Sequence, residues 1–390
     1  MVYAPDTRPY YDADSHIMEL PDFLRVYADP DLRDELPLID YTASMNKQED
    51  VDAYMRDGGH SAEHVAEHLA YGDQLIAKSK EIHALGAFDG GQRTQAMDLL
   101  GFKKQLVFAT HSVVSPFHPS SKKSTRWKYG AARAHNRHMA AFCADDDRLM
   151  GVGVCALDDP AAAIEELDFA IETGLEAIWV PHRAPIDISP GHVDLEPFWA
   201  RLAEAGIPFV LHVGGSPLHS LKAWSNNGRG KVKDFFGGGE NVRTKDAALM
   251  HQTPEAFLSV LLLDGVFERH PKLRGAAVEL GAGWVPEMIR RLDWVTSIYG
   301  RVDKSVRFER KPSEQLTAQM GFTPSPHEDV AQLIADSNEE LYLFSSDYPH
   351  VEGGRDPIGK FERSVASVSA EAQTKFFSEN FLRLWPEARV

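Results

Sequence analysis

Residues 148–157 read RLMGVGVCAL, 159–174 read DPAAAIEELDFAIETG, 177–183 read AIWVPHR, 195–206 read LEPFWARLAEAG and 208–215 read PFVLHVGG. The first, third and fifth of these are short apolar runs of strand length. The second and fourth carry apolar residues at helical spacing, and each closes at a glycine, Gly174 and Gly206. Strands alternating with single helices imply parallel βα units, which need crossover connections and have both faces covered.

The same alternation extends outward in both directions. Upstream, 10–16 reads as a first strand, 105–109 as a buried strand running into Thr110 and His111, and 127–145 as a helix. Downstream come a helix over 254–269, a strand over 274–280, a helix over 284–295, a weak strand over 319–323, a helix over 331–337, a last strand over 341–347 and a closing helix over 370–384. About eight strands in βα order predict a (β/α)8 TIM barrel rather than an open doubly wound sheet. No Gly-x-Gly-x-x-Gly follows any of the strands, which argues against a dinucleotide fold.

Two stretches interrupt the pattern. Residues 19–100 are polar and broken by Pro21, Pro30, Pro37, Gly58-Gly59 and Gly90-Gly91, with helices expected over 61–83, where Ser61 is the N-cap, and over 93–100. This reads as a helical cap inserted after strand one. Residues 216–253, rich in Gly, Asn and basic side chains, follow strand five directly and read as a lid loop. The chain 1–390 is taken as a single domain.

Composition removes several classes of function. A formal net charge of −17 argues against a phosphate-backbone partner, because nucleic-acid affinity rests on Lys and Arg displacing counterions. The longest apolar stretches, such as 256–266, fall short of the roughly 20 residues that cross a bilayer. No basic region followed by an apolar run opens the chain, so a soluble cytoplasmic protein is expected. Cys143 and Cys155 are the two cysteines; they form no disulfide framework and read as small core residues.

In barrels the chemistry sits at the C-terminal strand ends. The ionisable side chains that fall there are Asp14, His16, His111, His182, Arg183, His212, Glu279, Asp347 and His350. Strand alternation puts Asp12, Asp14 and His16 on one face, with Asp14 and His16 roughly 6–7 Å apart, a spacing that suits two ligands on one ion. Asp12, deeper on that face, reads as a buried hydrogen-bonder. Inward charges are costly unless paired or ligated, and one divalent cation offsets several at once. Imidazoles with carboxylates suit zinc first, and manganese or iron if oxygen ligands dominate. His111, His182 and Arg183 are candidates for binding an anionic small-molecule substrate, with loop-holding as their bland alternative. His350 and Glu352 follow Asp347 closely enough to stand behind it or to lie on the surface.

Along nearly the whole chain the sequence resembles the amidohydrolase-related family of the amidohydrolase superfamily, the group similar to aminocarboxymuconate semialdehyde decarboxylase. The resemblance is carried by Asp12-Ala13-Asp14-Ser15-His16, Arg93 to Asp98, Pro197-Phe198-Trp199, Ala205-Gly206-Ile207-Pro208 and the strand to His212. It continues through Phe267 to Leu273, Gly281-Ala282-Gly283-Trp284-Val285-Pro286, Ser346-Asp347-Tyr348-Pro349-His350 and Glu379-Asn380. It implies metal ligands at Asp14, His16, His212 and Asp347, and a homodimer. One departure stands out. Where the family's decarboxylases usually carry a catalytic His ahead of the Gly-x-Gly stretch, this chain has Glu279, which could be a further ligand or a general acid/base.

The leading expectation is therefore a metal-dependent hydrolase of a small ester, amide or C–C substrate, with the cation activating a water, Asp347 as base and Glu279 stabilising or relaying. Non-oxidative decarboxylation of an aromatic or enoic acid is the alternative. A non-catalytic barrel that binds small molecules is the third reading.

Overall fold

The computed structural model describes residues 1–41, 46–118, 123–185, 187–216, 224, 226–230 and 244–390. Seven parallel strands lie side by side in sequence order: β1 Tyr11–Asp12, β2 Lys104–Val107, β3 Leu149–Val154, β4 Ala177–Trp179, β5 Phe209–His212, β6 Gly275–Val278 and β7 Met320–Phe322. An eighth extended segment, 341–348, closes the curl. On one side Phe322 N–H donates to Leu341 O at 2.8 Å and Leu343 N–H to Phe322 O at 2.9 Å. On the other, Ala13 N–H donates to Phe344 O at 3.0 Å, Asp347 N–H to Asp14 O at 2.9 Å and His16 N–H to Tyr348 O at 2.7 Å. The expected barrel is present.

The eighth segment is bridged rather than laddered, and Asp12 is the reason. Its carboxylate takes the Ser346 N–H at 2.7 Å and the Ser346 hydroxyl at 2.5 Å, where a regular ladder would place a neighbouring carbonyl. The last strand expected over 341–347 is therefore extended backbone joined by isolated bridges at Tyr342 and Tyr348.

Helices wrap the barrel much as the periodicity predicts: Thr125–Cys143, Pro160–Glu172, Glu196–Ala205, Gln252–Leu263, Val285–Tyr299 and Val330–Asp336. Ser124 and Asp159 cap two of them through Trp127 N–H and Ala162 N–H. The helix expected over 254–269 is split, because Gly265 at φ +79 ends one helix before Val266–Arg269 begins. The closing helix runs as Ala370–Thr374, a π turn over Lys375–Glu379, and Asn380–Leu384. Pro312–Gln319 and Pro357–Ser364 are helices that the sequence reading passed over; each begins with a proline at its first position, a placement that reads equally as a turn.

Within 19–100 the helices are Gln48–Asp57, Ala62–Ala70 and Gly90–Leu100, with shorter turns between them. The single helix expected over 61–83 stops at Ala70, since Gly72 adopts φ +53 and the chain continues in short turns. Arg93, fully buried, ties this region to the barrel. Its guanidinium donates to Gly86 O at 3.0 Å, to Gln105 Oε1 at 3.1 Å and to His16 O. Most of the lid expected over 216–253 lies outside the described residues, and its described C-terminal part forms the helix Thr244–Leu249. Among the described residues no helix is long and apolar enough to cross a membrane. Both cysteines are free thiols.

Replacing Arg93 by Met would leave three buried acceptors without their donor, at about 1 kcal/mol or more each. Urea unfolding of Arg93→Met is expected to show stability lower by roughly 3 kcal/mol; an unchanged midpoint would show that the guanidinium is not the tie.

Candidate metal centre

The ends of β1, β5, β6 and the eighth segment deliver their polar side chains to one point. His212 is the last residue of β5, and its register partner Val278 immediately precedes Glu279. Asp14 and His16 follow β1, and Asp347 ends the eighth segment. His16 Nε2 and His212 Nε2 each lie 3.3 Å from Asp14 Oδ1. His212 Nε2 is also 3.4 Å from Glu279 Oε2, and His16 Nε2 is 3.7 Å from Asp347 Oδ1. Asp14, His16, His212 and Glu279 each offer one donor atom within 4.8 Å of the others, as do His16, Asp347 and His350. Three of the sequence-derived ligands, Asp14, His16 and His212, thus converge with Glu279, and Asp347 joins them through His16 in an overlapping group.

Hydrogen bonds behind the rings fix which nitrogen faces the centre. His16 Nδ1 reaches Ala109 O at 3.2 Å and His212 Nδ1 reaches Val213 O at 2.9 Å. A carbonyl only accepts, so both Nδ1 atoms carry the proton and both Nε2 atoms point lone pairs at Asp14. Acceptor facing acceptor at 3.3 Å is repulsive unless a positive charge lies between. Ligands on one ion at metal–donor distances near 2.1 Å stand roughly 3–3.6 Å apart, the spacing seen here. His16 Nε2, Asp347 Oδ1 and His350 Nδ1 are buried without a hydrogen-bond partner, and all three border this point. The donor set fits a divalent cation.

The electrostatics agree. Burial, with His350 beside it, drives the His16 imidazole down to about 4, so the ring stays neutral and free to ligate. Asp347 is pushed up to about 7 by burial and by Asp14. Both Glu279 and Asp347 adopt left-handed backbone, at φ +55 and +54, a conformation costing about 1–3 kcal/mol in a non-glycine residue. Thr323 Oγ1 holds Glu279 N–H at 2.8 Å and Asp14 O holds Asp347 N–H at 2.9 Å, so the surroundings enforce both turns. Each turn swings a carboxylate inward.

The other candidates go elsewhere. Arg183 is locked in a bidentate pair with Asp158, both contacts at 2.7 Å. His182 Nε2 contacts His212 O at 3.1 Å and so braces the turn after β5. His111 packs its ring edge-on against Tyr41, and its backbone N–H is held by Glu19. None of the three lines the chamber above the cluster. That chamber, about 860 Å³, has Asp14, Glu279 and Asp347 at its floor, with Met250, Trp284 and Pro324 among its apolar walls.

Two residues of the centre's surroundings, Glu19 and Thr110, were not singled out for a role by the sequence. Glu19 is fully buried and gathers the N–H groups of Thr110, His111 and Ser112 at 3.0, 2.9 and 2.8 Å. Thr110 hydroxyl donates to Ile17 O at 2.8 Å and accepts from His350 Nε2 at 3.0 Å. His350 therefore turns Nδ1 toward Asp347 Oδ1, 3.2 Å away, while its ring stacks on His16 at 4.0 Å. The only available signal for His350 was its place three residues after Asp347.

A closed parallel barrel with imidazoles and carboxylates converging at its strand ends is the architecture of a metal-dependent enzyme. The family model described as amidohydrolase matches residues 22–386, and the chain belongs to that family. No functionally curated protein matches the sequence. Among solved structures, an amidohydrolase from Mycobacterium avium subsp. paratuberculosis K-10 is 22% identical, with a TM-score of 0.73 over 97% of this chain and 100% of its own. A 5-carboxyvanillate decarboxylase from Novosphingobium aromaticivorans DSM 12444, complexed with manganese, is 18% identical, with a TM-score of 0.64 over 97% and 96%. A dihydroxybenzoic acid decarboxylase from Polaromonas sp. JS666, with bound manganese and 2-nitroresorcinol, is 16% identical, with a TM-score of 0.61 over 98% of each chain. These likenesses establish a shared fold.

His212→Ala removes one Nε2 donor and should lower bound metal, measured by plasma mass spectrometry after passage over a chelating resin, at least tenfold. Glu279→Gln separates two roles: loss of metal marks a ligand, whereas full metal content with lost rate marks an acid/base.

Proposed function

We propose that the protein is a metal-dependent carboxy-lyase that removes the carboxylate of a small aromatic or enoic acid without oxidation. The observation that carries this reading is the chamber, whose partly apolar wall, with Met250, Trp284 and Pro324, meets the carboxylates Asp14, Glu279 and Asp347. These carboxylates repel an acid anion unless a cation offsets them. Asp14, His16, His212 and Asp347, with Glu279 beside them, are the proposed holders of that cation, manganese or zinc by donor set. When bound, it would supply charge neutralisation for the substrate carboxylate. Manganese in two decarboxylases of the same fold supports the choice of chemistry.

The protein's own part is proton transfer and exclusion of water. Asp347 stands at the chamber floor with Oδ1 against His350 Nδ1, so a proton on its carboxyl has a fixed orientation toward the substrate side or the imidazole. In the proposed step Asp347 gives that proton to the ring carbon bearing the carboxylate. The C–C electron pair returns to the ring, carbon dioxide leaves, and solvent restores the proton to Asp347. Trp284, Met250 and Pro324 hold the ring and limit water. Hydrolysis of a small carbonyl compound is the second reading. Glu279 favours it, because a carboxylate 3.4 Å from His212 could take a proton from water.

The wider setting is part of the same proposal: a cytoplasmic homodimer acting on a small molecule, with no nucleic-acid partner. The net charge of −17 and two free thiols support it. So does the exposed apolar stripe Trp294, Ile298 and Val302 on the outer face of Val285–Tyr299 and its extension, which a second copy would cover.

The test is turnover of hydroxybenzoates and enoic acids by manganese- or zinc-loaded protein in deuterium oxide. The expected product carries one deuterium at the vacated carbon, and Asp347→Asn should lower kcat at least about a thousandfold. Release of alcohol or amine from esters or amides, with no carbon dioxide from any acid, would replace this reading with the hydrolytic one.

A further inference from the structure

The chamber over the metal centre is lined by five carboxylates, those of Asp14, Glu279, Glu328, Asp347 and Glu352. Among the described residues a single lysine or arginine lines it as well, Lys360. Glu328 is occupied by the backbone: its oxygens accept the N–H groups of Ala282, Gly283 and Ser325 at 2.9, 2.6 and 2.7 Å, so it shapes the turn after β6. Lys360 has no comparable structural task. It is half-buried, and among the described residues its ammonium forms no ion pair and no hydrogen bond.

Helix formation does not favour a lysine at this place. Asp356 caps the helix Pro357–Ser364 by accepting Gly359 N–H at 3.0 Å, and Lys360 N–H bonds Asp356 O at 3.1 Å, which puts Lys360 in the first turn. A cation there faces the positive end of the helix dipole. Side chains on a helix lean toward its N-terminus, so the ammonium reaches back over residues 353–354 to the chamber. Two glycines make room for it. Gly354, at φ +80, has its N–H on Val351 O at 3.0 Å, and a Cβ there would lie 2.7 Å from Lys360 Nζ. A Cβ on Gly353 would lie 3.0 Å from Asp347 Cβ. Because the glycines are adjacent, the ammonium stands within about 13 Å of Asp347 Cβ, at the other end of one short path along the chamber wall.

We propose that Lys360 sets the specificity of the chamber: its ammonium receives a second carboxylate of the substrate, across the ring from the one that leaves, and the substrate is a dicarboxylic acid. The inference rests on the carboxy-lyase reading for the placement of the leaving carboxylate at the cation. A ring with two carboxylates spans the remaining gap, with a contact of about 2.8 Å from the far carboxylate to Nζ. The lining carboxylates repel such a dianion unless each of its charges meets a partner of its own, and Lys360 is the described group able to meet the second. His251 and His327 line the same chamber and can add N–H donors. A lysine that reads the substrate discriminates a diacid from a monoacid. A lysine that only offsets the carboxylates around it affects both alike.

The experiment is calorimetric titration of the manganese-loaded full chain with benzoate, isophthalate and terephthalate at fixed ionic strength. At least one diacid is expected to bind wild type about tenfold or more tighter than benzoate. Lys360→Met should remove that preference and leave benzoate affinity within about twofold, whereas Lys360→Arg should keep the preference. Lys360→Gln takes the place of the methionine variant should that one fail to fold. Four results would each overturn the inference: equal affinity for benzoate and both diacids, a preference that survives in Lys360→Met, an equal loss of benzoate and diacid affinity in that variant, or no saturable binding of any of the three probes. The carboxy-lyase reading fails separately, by the absence of carbon dioxide from every acid tried, because the binding preference is measured without turnover.

Discussion

Two imidazole lone pairs face one buried carboxylate oxygen, each at 3.3 Å, and the strand-end geometry follows from that arrangement. Neither nitrogen can turn away, because each ring's other nitrogen is spent on a backbone carbonyl, Ala109 for His16 and Val213 for His212. Burial beside His350 keeps the His16 ring from taking a proton. The remaining way to relieve the contact is a cation, and the surrounding carboxylates Glu279 and Asp347 are turned inward through strained backbone to meet one. Strain and unsatisfied acceptors at the same point are the physical mark of a site built for an ion.

Asp12 does for the barrel what Asp14 does for the centre. Fully buried, it receives Gln105 Nε2 at 2.7 Å, Ser346 N–H and hydroxyl, and Asp14 N–H at 3.2 Å, so one side chain joins the first strand, the second strand and the closing segment. Burial still pushes its carboxyl up to about 7 against those donors. The position of Asp347 relative to Asp14 is thus set two residues before Asp14 and one residue before Asp347. Gly353 completes the fit: a Cβ there would sit 2.0 Å from Ser346 O and 3.0 Å from Asp347 Cβ, so only glycine lets the following loop fold back over the carboxylate.

Much of this was legible in the sequence, for a local reason. Strand length, helical spacing and glycine stops are properties of neighbouring residues, so β3 to β5 and their helices fell within a few residues of expectation. Asp14, His16, His212, Glu279 and Asp347 were legible because alternation along a strand and barrel topology together place them at one end. What failed was anything decided by a distant partner. Arg183 looked like a substrate ligand until Asp158, 25 residues earlier, claimed both its nitrogens. His182 turns back to brace His212 O rather than forward to the chamber. The irregular closing segment depends on Asp12, 334 residues away. Glu19 gave no signal at all, since a carboxylate that collects three backbone N–H groups looks like any surface glutamate in the sequence.

The substitution at position 279 bears on the chemistry through charge count. Asp14, Glu279 and Asp347 ionised together exceed a divalent cation by one negative charge, which imidazoles that ligate through Nε2 do not offset. In a buried site that surplus is costly, and the cheapest remedy is to keep one carboxyl protonated. Asp347 is the best placed to carry the proton. Burial and Asp14 push its carboxyl up to about 7, and His350 Nδ1, fixed by Thr110, offers an acceptor at 3.2 Å. A hydrolase needs a base that starts empty, whereas decarboxylation consumes one proton per turnover at carbon. An excess carboxylate that makes the resting site store a proton is in keeping with the proposed carboxy-lyase.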